Sequence, residues 1–263
     1  MKYFTSEDDR SKREELLNLM KAWKKVIRKK GDIIFPDDSK HYPAIDYFNS
    51  DGFFPGYFSG NKKILFIARE SRNCSGKDRI QTELNWFNKG AKYINCYAYW
   101  RRILYITYGI QNGCKLDYEE IPYADEIIKK MVEENNYGFA IMNISKYSND
   151  QEDGAIANYE LINQFLKDSD LDKENYIRKE IELLEPDIII TANLWDGNIN
   201  NELLEKIFPP SDCTNMKPID DAANMWNFKL KEKTVKLIDL YHFSSRKSDQ
   251  KHFYEPVMKL LKK

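Results

Sequence analysis

Four short apolar runs place the tightest limits on how this chain can fold. They read KILFIA at 63–68, GFAIMNI at 138–144, DIIITA at 187–192 and VKLIDLY at 235–241. The first three are almost continuously apolar, which is typical of strands covered on both faces in a parallel sheet. Helical periodicity fills the segments between them. We therefore predict a three-layer α/β/α sandwich around a central, mainly parallel four-stranded sheet.

The predicted helices between these runs cover residues 78–88, 92–109, 122–135, 153–168 and 172–185, and one more precedes them at 9–30. The stretch 207–233 has no clear period and is predicted to be an irregular surface insertion. The sequence shows no internal repeat and no low-complexity tract. We predict a single domain over 1–263, with an N-terminal helical extension over 1–60.

Composition narrows the class of protein. Hydrophobic residues make up 42% of the chain, enough for a large core, and the net charge of −1 gives no overall attraction to nucleic acid, although a local basic face stays open. The four cysteines form no CxxC pair, so we predict no metal site and no cofactor. With no signal peptide and no apolar stretch of roughly 18 residues, we expect a soluble, cytoplasmic protein with reduced thiols, no membrane partner and no obligate protein partner.

Polar side chains follow all four runs, at the edge where parallel sheets bind ligands. They are Arg69, Glu70, Ser71, Arg72 and Asn73 after the first run; Asn143, Ser145 and Lys146 in and after the second; Asn193, Trp195 and Asp196 after the third; and His242, Ser244, Ser245 and Arg246 after the fourth. Ordinary loops facing water would also be polar. A carboxylate, a carboxamide and an imidazole on one rim nevertheless suit recognition and hydrolysis of a small, planar, polar group.

Motifs of other common enzymes are missing. The sequence contains no GxGxxG, no GxxxxGK[ST] and no GxSxG, so dinucleotide-binding, P-loop and nucleophile-elbow interpretations have no support. Asn143 lies inside the apolar stretch AIMNIS, where its amide needs a specific partner.

The order of these segments resembles the uracil-DNA glycosylase superfamily over residues 60–258. ARESR at 68–72 stands where that family has its first motif, and Asn143 stands where it has a base-reading asparagine. LLEPDIIITAN matches the third strand, and HFSSR at 242–246 matches the final H-x-S motif. Two departures put plain uracil in doubt as the substrate: the first motif has lost its glycine and proline, and Phe243 replaces a proline.

The resemblance implies a monofunctional DNA glycosylase that flips a uracil or modified pyrimidine out of DNA and hydrolyses its N-glycosidic bond. Glu70 would activate water, and His242 would stabilise the departing base. Asn143 would bind the base edge, with Trp86 or Phe87 stacking on it. The DNA phosphates would contact Ser71, Arg72, Lys146, Ser244, Ser245 and Arg246. Some bacterial relatives remove modified bases from phage DNA, so antiviral defence joins DNA repair as an expected role.

Two alternatives remain at this level. One is a non-catalytic nucleic-acid-binding relative of the same fold, for which the basic stretches 21–30 and 244–252 would supply phosphate contacts. The other is an α/β hydrolase acting on a small metabolite. The joint presence of Glu70, Asn143 and His242 favours catalysis over binding alone.

Overall fold

The computed structural model describes residues 3–35, 40–89, 93–151, 157–219 and 221–262. The strands in these residues are β1 (Asp32–Ile34), β2 (His41–Pro43), β3 (Gly52–Phe53), β4 (Ile64–Ala68), β5 (Ala140–Asn143), β6 (Ile188–Ala192), β7 (Cys213–Ile219), β8 (Ala223–Leu230) and β9 (Lys233–Leu240). The α-helices are α1 (Glu7–Ile27), α2 (Arg79–Asn88), α3 (Ala98–Gln111), α4 (Ala124–Glu134), α5 (Tyr159–Asp168), α6 (Tyr176–Leu184), α7 (Asn201–Ile207) and α8 (Glu255–Leu261).

The four predicted strands form the parallel centre of the sheet, in the order β5-β4-β6-β9. Every residue of β4, β5 and β6 is buried, as expected for strands covered by helices on both faces. The sheet is larger than predicted. It has seven strands in the order β3-β5-β4-β6-β9-β8-β7, and the three additional strands pair antiparallel at its two edges.

The prediction of an irregular insertion at 207–233 is wrong. This segment contains β7 and β8, which form a hairpin beside β9. β7 is the edge strand, and its five central residues are exposed. Burial in β8 alternates over much of its length because one face packs on the core and the other meets water. A search for continuous apolar runs finds buried parallel strands and overlooks half-exposed strands of this kind.

Helices cover both faces of the sheet and complete the three-layer α/β/α sandwich. Trp23 of α1 lies against Phe165 of α5 and Tyr176 of α6, which joins the helices of one layer. On the other face, α3 packs against α4 and α8, and α2 packs against α4. α4 places Ile127, Ile128 and Met131 toward the core, with the spacing of an amphipathic helix.

The N-terminal segment is integrated into this core. β3 pairs with β5 at the sheet edge, and Phe48, Phe53 and Phe54 are fully buried. The predicted helix 153–168 is observed as α5; residues 152–156 lie outside the described residues. Among the helices of the described residues, none is both long and apolar enough to cross a membrane.

Candidate active site

A cavity of about 470 Å³ opens at the carboxyl ends of β4 and β9. One wall is the segment after β4, from Arg69 to Arg72, and a second is the loop after β9. α2 and α3 supply the remaining wall. The side chains that line it are Ala68, Arg69, Glu70, Ser71, Arg72, Cys74, Arg79, Glu83, Tyr99, Trp100, Ala157, His242, Ser244 and Ser245. The structure therefore brings Glu70 and His242, from different strands, into one site.

Glu70 is held by one carboxylate oxygen. Its Oε1 accepts hydrogen bonds from Asn149 Nδ2 at 2.9 Å and from the Asn158 backbone N–H at 3.0 Å. Oε2 is buried and has no hydrogen-bond partner among the described residues. Burial raises the pKa of the carboxyl, while the hydrogen bonds from Asn149 and Asn158 act in the opposite direction. The carboxylate is thus fixed in orientation, with one oxygen available for a hydrogen bond.

His242 begins the loop after β9, and its ring is held in one tautomer. The Ser244 backbone N–H donates to Nδ1 at 3.3 Å, so in the neutral ring the proton lies on Nε2. Burial, together with the positive charges of Arg69, Arg72 and Arg102, lowers the pKa of His242 to about 4. The imidazole is neutral near pH 7 and offers Nε2–H as a hydrogen-bond donor.

The loop that carries His242 is anchored by Arg102 of α3. The guanidinium donates to the carbonyl oxygens of Phe243, Ser245 and Lys247 at 2.5, 2.8 and 2.7 Å, and its Nε donates to Asp249 at 2.7 Å. Its charge also lies over the Phe253 ring. Carbonyl groups that a loop would otherwise leave unpaired are therefore satisfied from inside the protein. Sequence reasoning did not identify Arg102.

Residues that follow β6 hold the cavity residue Arg69 in place. This guanidinium donates to the Tyr159 hydroxyl, to the Asn193 carbonyl oxygen at 2.8 Å and to Asp196 at 2.5 Å. Asn193 and Asp196, predicted as rim residues, thus orient a cavity residue without lining the cavity. Trp195 packs against Phe208 and Trp226 instead.

Of the predicted phosphate-binding residues, four line the cavity and two do not. Ser71, Arg72, Ser244 and Ser245 are cavity residues, and Ser71 also accepts a hydrogen bond from Asn49 at 2.6 Å. Arg246 is exposed and lies outside the cavity lining. The placement of Lys146 contradicts its predicted role, because its side chain is 0% exposed and ion-paired with Asp51 and Glu180, each at 2.7 Å.

The predicted stacking residues also lie elsewhere. Phe87 is buried against Phe54 and Trp100, and Trp86 packs between Phe87 and Tyr97. Neither lines the cavity. Phe87 lies on the buried face of α2 and is therefore a core residue.

The aromatic wall comes from α3 instead. Tyr99 and Trp100 line the cavity, with the Tyr99 ring centroid 6.5 Å from that of His242. The aromatic stretch YAYW at 97–100 was a signal for this wall. Cys74, Arg79 and Glu83 also line the cavity. They were not predicted, because the prediction considered only residues that come directly after a strand in the sequence.

Asn143 is fully buried and does not line the cavity. Neither its amide nitrogen nor its amide oxygen has a hydrogen-bond partner among the described residues. Asn143 pairs with the cavity residue Ala68 across β5 and β4, and paired residues of parallel strands project to the same face of the sheet. The unsatisfied amide therefore lies on the face of the sheet from which the cavity is lined.

Phe243, which stands where the motif of the resembled family has a proline, points into the core. Its ring contacts Phe66, Tyr99 and Phe253, and its side chain is fully buried. It follows His242 directly in the sequence, but it packs on the core side of the loop and does not line the cavity.

Comparison of the chain with models of known protein families gives no match, and comparison with curated proteins gives none either. The mixed α/β sandwich and the cavity at its carboxyl edge are therefore the features from which a function is inferred.

Proposed function

We propose that this chain is a monofunctional DNA glycosylase that accepts a flipped uracil or modified pyrimidine and hydrolyses its N-glycosidic bond. One observation carries the proposal: Glu70, whose carboxylate is held through one oxygen, and His242, whose ring is held through Nδ1, line the same cavity. Hydrolysis of this bond requires both, because a nucleophilic water needs a base and the departing nucleobase needs a hydrogen-bond donor.

Glu70 is proposed to act on water. Its Oε2 accepts a proton from a water molecule whose oxygen forms a bond to C1′ of the sugar. The bond from C1′ to the base nitrogen breaks, and its electron pair leaves with the base. The negative carboxylate also stabilises the positive charge that develops on the sugar. Asn149 and Asn158 keep the carboxylate in place because both bind Oε1.

His242 is proposed to stabilise the negative charge that develops on the departing base. Nε2–H donates a hydrogen bond to a base oxygen, which becomes more negative as the glycosidic bond breaks. A neutral donor suits this role, and the low pKa of His242, about 4, keeps the ring neutral at physiological pH. The Ser244 N–H maintains the required tautomer.

The remaining cavity residues are proposed to bind the nucleotide. Tyr99 and Trp100 offer aromatic surface to the base in place of Trp86 and Phe87. The unsatisfied amide of Asn143 supports its assignment as a base-edge contact, because a buried amide without partners is costly unless a ligand binds it. Ser244, which is exposed and lines the cavity, is proposed to bind a phosphate at the cavity mouth.

The cavity volume favours a substrate larger than uracil. About 470 Å³ falls within the range that encloses ligands well above the size of one pyrimidine ring. A modified base, such as those of phage DNA, would use this space. Defence against phage and repair of damaged DNA are both consistent with such an activity.

The test is release of a base from DNA. Single- and double-stranded oligonucleotides with one uracil, and phage DNA with modified cytosines, are incubated with the protein, and alkali then cleaves any abasic site. We expect cleavage with at least one substrate. Glu70→Gln and His242→Ala should abolish most of it, whereas Glu160→Gln, at an exposed residue of α5, should not. Binding without cleavage on every substrate would favour a non-catalytic DNA-binding protein. Full activity of both variants would refute the assigned roles.

A further inference from the structure

Arg79 is a buried cation with most of its hydrogen-bonding capacity unused. It is the first residue of α2, its side chain is 9% exposed, and it lines the cavity. Within the described residues the only hydrogen bond of its side chain runs from Nη2 to the Tyr99 hydroxyl, at 3.3 Å. Nη1 is buried and has no hydrogen-bond partner. Because a guanidinium has five N–H donors, most donors of this side chain have no acceptor within the described residues.

Two other arginines near the cavity, Arg69 and Arg102, have many more hydrogen-bond partners. Arg69 donates to a hydroxyl, a carbonyl and a carboxylate, and Arg102 donates to three carbonyls and a carboxylate. Most donors of both side chains are therefore paired within the protein, although Arg69 Nε is buried and has no hydrogen-bond partner among the described residues. Arg79 lacks such partners, although leaving donors of a buried charge unpaired destabilises the folded state.

Neighbouring carboxylates keep Arg79 charged without occupying its donors. Asp51 Oδ1 and Glu83 Oε1 each lie 3.9 Å from a guanidinium nitrogen, beyond hydrogen-bond range. Asp51 Oδ2 accepts from the Asn143 backbone N–H at 2.6 Å and from Lys146 at 2.7 Å, whereas Oδ1, the oxygen nearer Arg79, has no hydrogen-bond partner among the described residues. The donors of Arg79 thus remain available to a molecule in the cavity.

We propose that Arg79 determines substrate specificity by binding two adjacent hydrogen-bond acceptors on the base. A guanidinium pairs best with two acceptors side by side, which a ring carboxylate offers and which some base edges also offer. The proposal rests on the proposed glycosylase function. The base is the partner, and not a DNA phosphate, because Arg79 is buried whereas Ser244 and Arg246 are exposed.

The test measures binding of free bases by calorimetry, so that no catalysis is needed. The probes are 5-carboxyuracil, which carries the carboxylate, 1-methylcytosine, whose O2 and N3 are two acceptors at one ring edge, uracil and inorganic phosphate. We expect at least one of the first two to bind at least tenfold more tightly than uracil, and the identity of that probe distinguishes a substituent from a ring edge. Arg79→Gln should remove the preference, Arg79→Lys should retain part of it, and Arg10→Gln, at an exposed residue, should leave it unchanged.

Three results would overturn the proposal: equal affinity for all three bases, a preference that survives in Arg79→Gln, or displacement of the bases by inorganic phosphate at matching concentration. Melting temperatures of the variants, with and without the preferred base, separate lost binding from misfolding, because a bound ligand raises the melting temperature of a folded variant. Base binding that depends on Arg79 without base excision would refute only the glycosylase proposal. Base excision with the same substrate preference in the wild type and in Arg79→Gln would refute only the proposed role of Arg79.

Discussion

Replacing Lys146 by methionine should sharply destabilise the fold. The Lys146 ammonium lies between the carboxylates of Asp51 and Glu180, 2.7 Å from each, and all three side chains are 0% exposed. Methionine fills similar space but leaves two buried negative charges without their cation. Breaking a buried pair in this way costs about 3–5 kcal/mol, a large part of the roughly 5–15 kcal/mol that stabilises an ordinary protein.

The loss should depend on pH. Burial raises the pKa of Glu180, and the Lys146 ammonium counteracts that rise, so the variant should have a still higher pKa. A carboxyl whose pKa is higher in the folded than in the unfolded state takes up a proton on folding, and stability then increases as pH falls. The difference between wild type and Lys146→Met should therefore be smaller at about pH 5.5 than at about pH 8.

Urea denaturation followed by tryptophan fluorescence gives both quantities. Lys179→Met is the matched control, because Lys179 pairs with Glu174 at the surface, with side chains 46% and 49% exposed. An exposed pair contributes about 0.2–1 kcal/mol. A loss in Lys146→Met no larger than that of the control, or a loss that grows as pH falls, would refute the reasoning.

Three further outcomes are expected. Glu70→Gln keeps an acceptor for Asn149 but removes the base, so single-turnover base release should slow by about 10²–10⁴-fold while DNA binding persists; equal slowing of binding would contradict this. In the wild type, base release should decline as pH falls through the raised pKa of Glu70, because only the ionised carboxylate accepts a proton, and a rate that is flat down to the His242 pKa of about 4 would exclude that role. Arg102→Met should lower the free energy of unfolding by at least about 1.5–3 kcal/mol, the contribution of one charged hydrogen bond, as measured by thermal melting; an unchanged melting temperature would show that its carbonyl contacts are dispensable.

The sequence predicts the centre of the sheet well because those strands are buried on both faces. Apart from Thr191, β4 and β6 consist of apolar residues, which is typical of strands covered on both faces. β7 and β8 escape the same search because one face of each meets water and their pattern includes polar residues. Recognising them requires the alternation of β8 to be read together with the turn into β9.

Prediction of the site depends on whether a residue's role is set locally. Glu70 and His242 follow strands at the edge where parallel sheets bind ligands, so their place in the chain suffices. Lys146 follows a strand in the same way, yet Asp51 and Glu180 from distant segments hold it in the core. Arg79 and Tyr99 face the cavity because of how α2 and α3 dock, which local sequence does not encode.

The anchoring of the His242 loop by Arg102 ties two walls of the cavity to one helix. α3 carries Tyr99 and Trp100 on the aromatic wall, and one turn later it carries the guanidinium that holds the carbonyls of Phe243, Ser245 and Lys247. A shift of α3 would therefore move the aromatic wall and the His242 loop together. Substitutions in α3 that reshape one of these walls would disturb the other, whereas substitutions in α2 could reshape the wall that carries Arg79 and Glu83 independently.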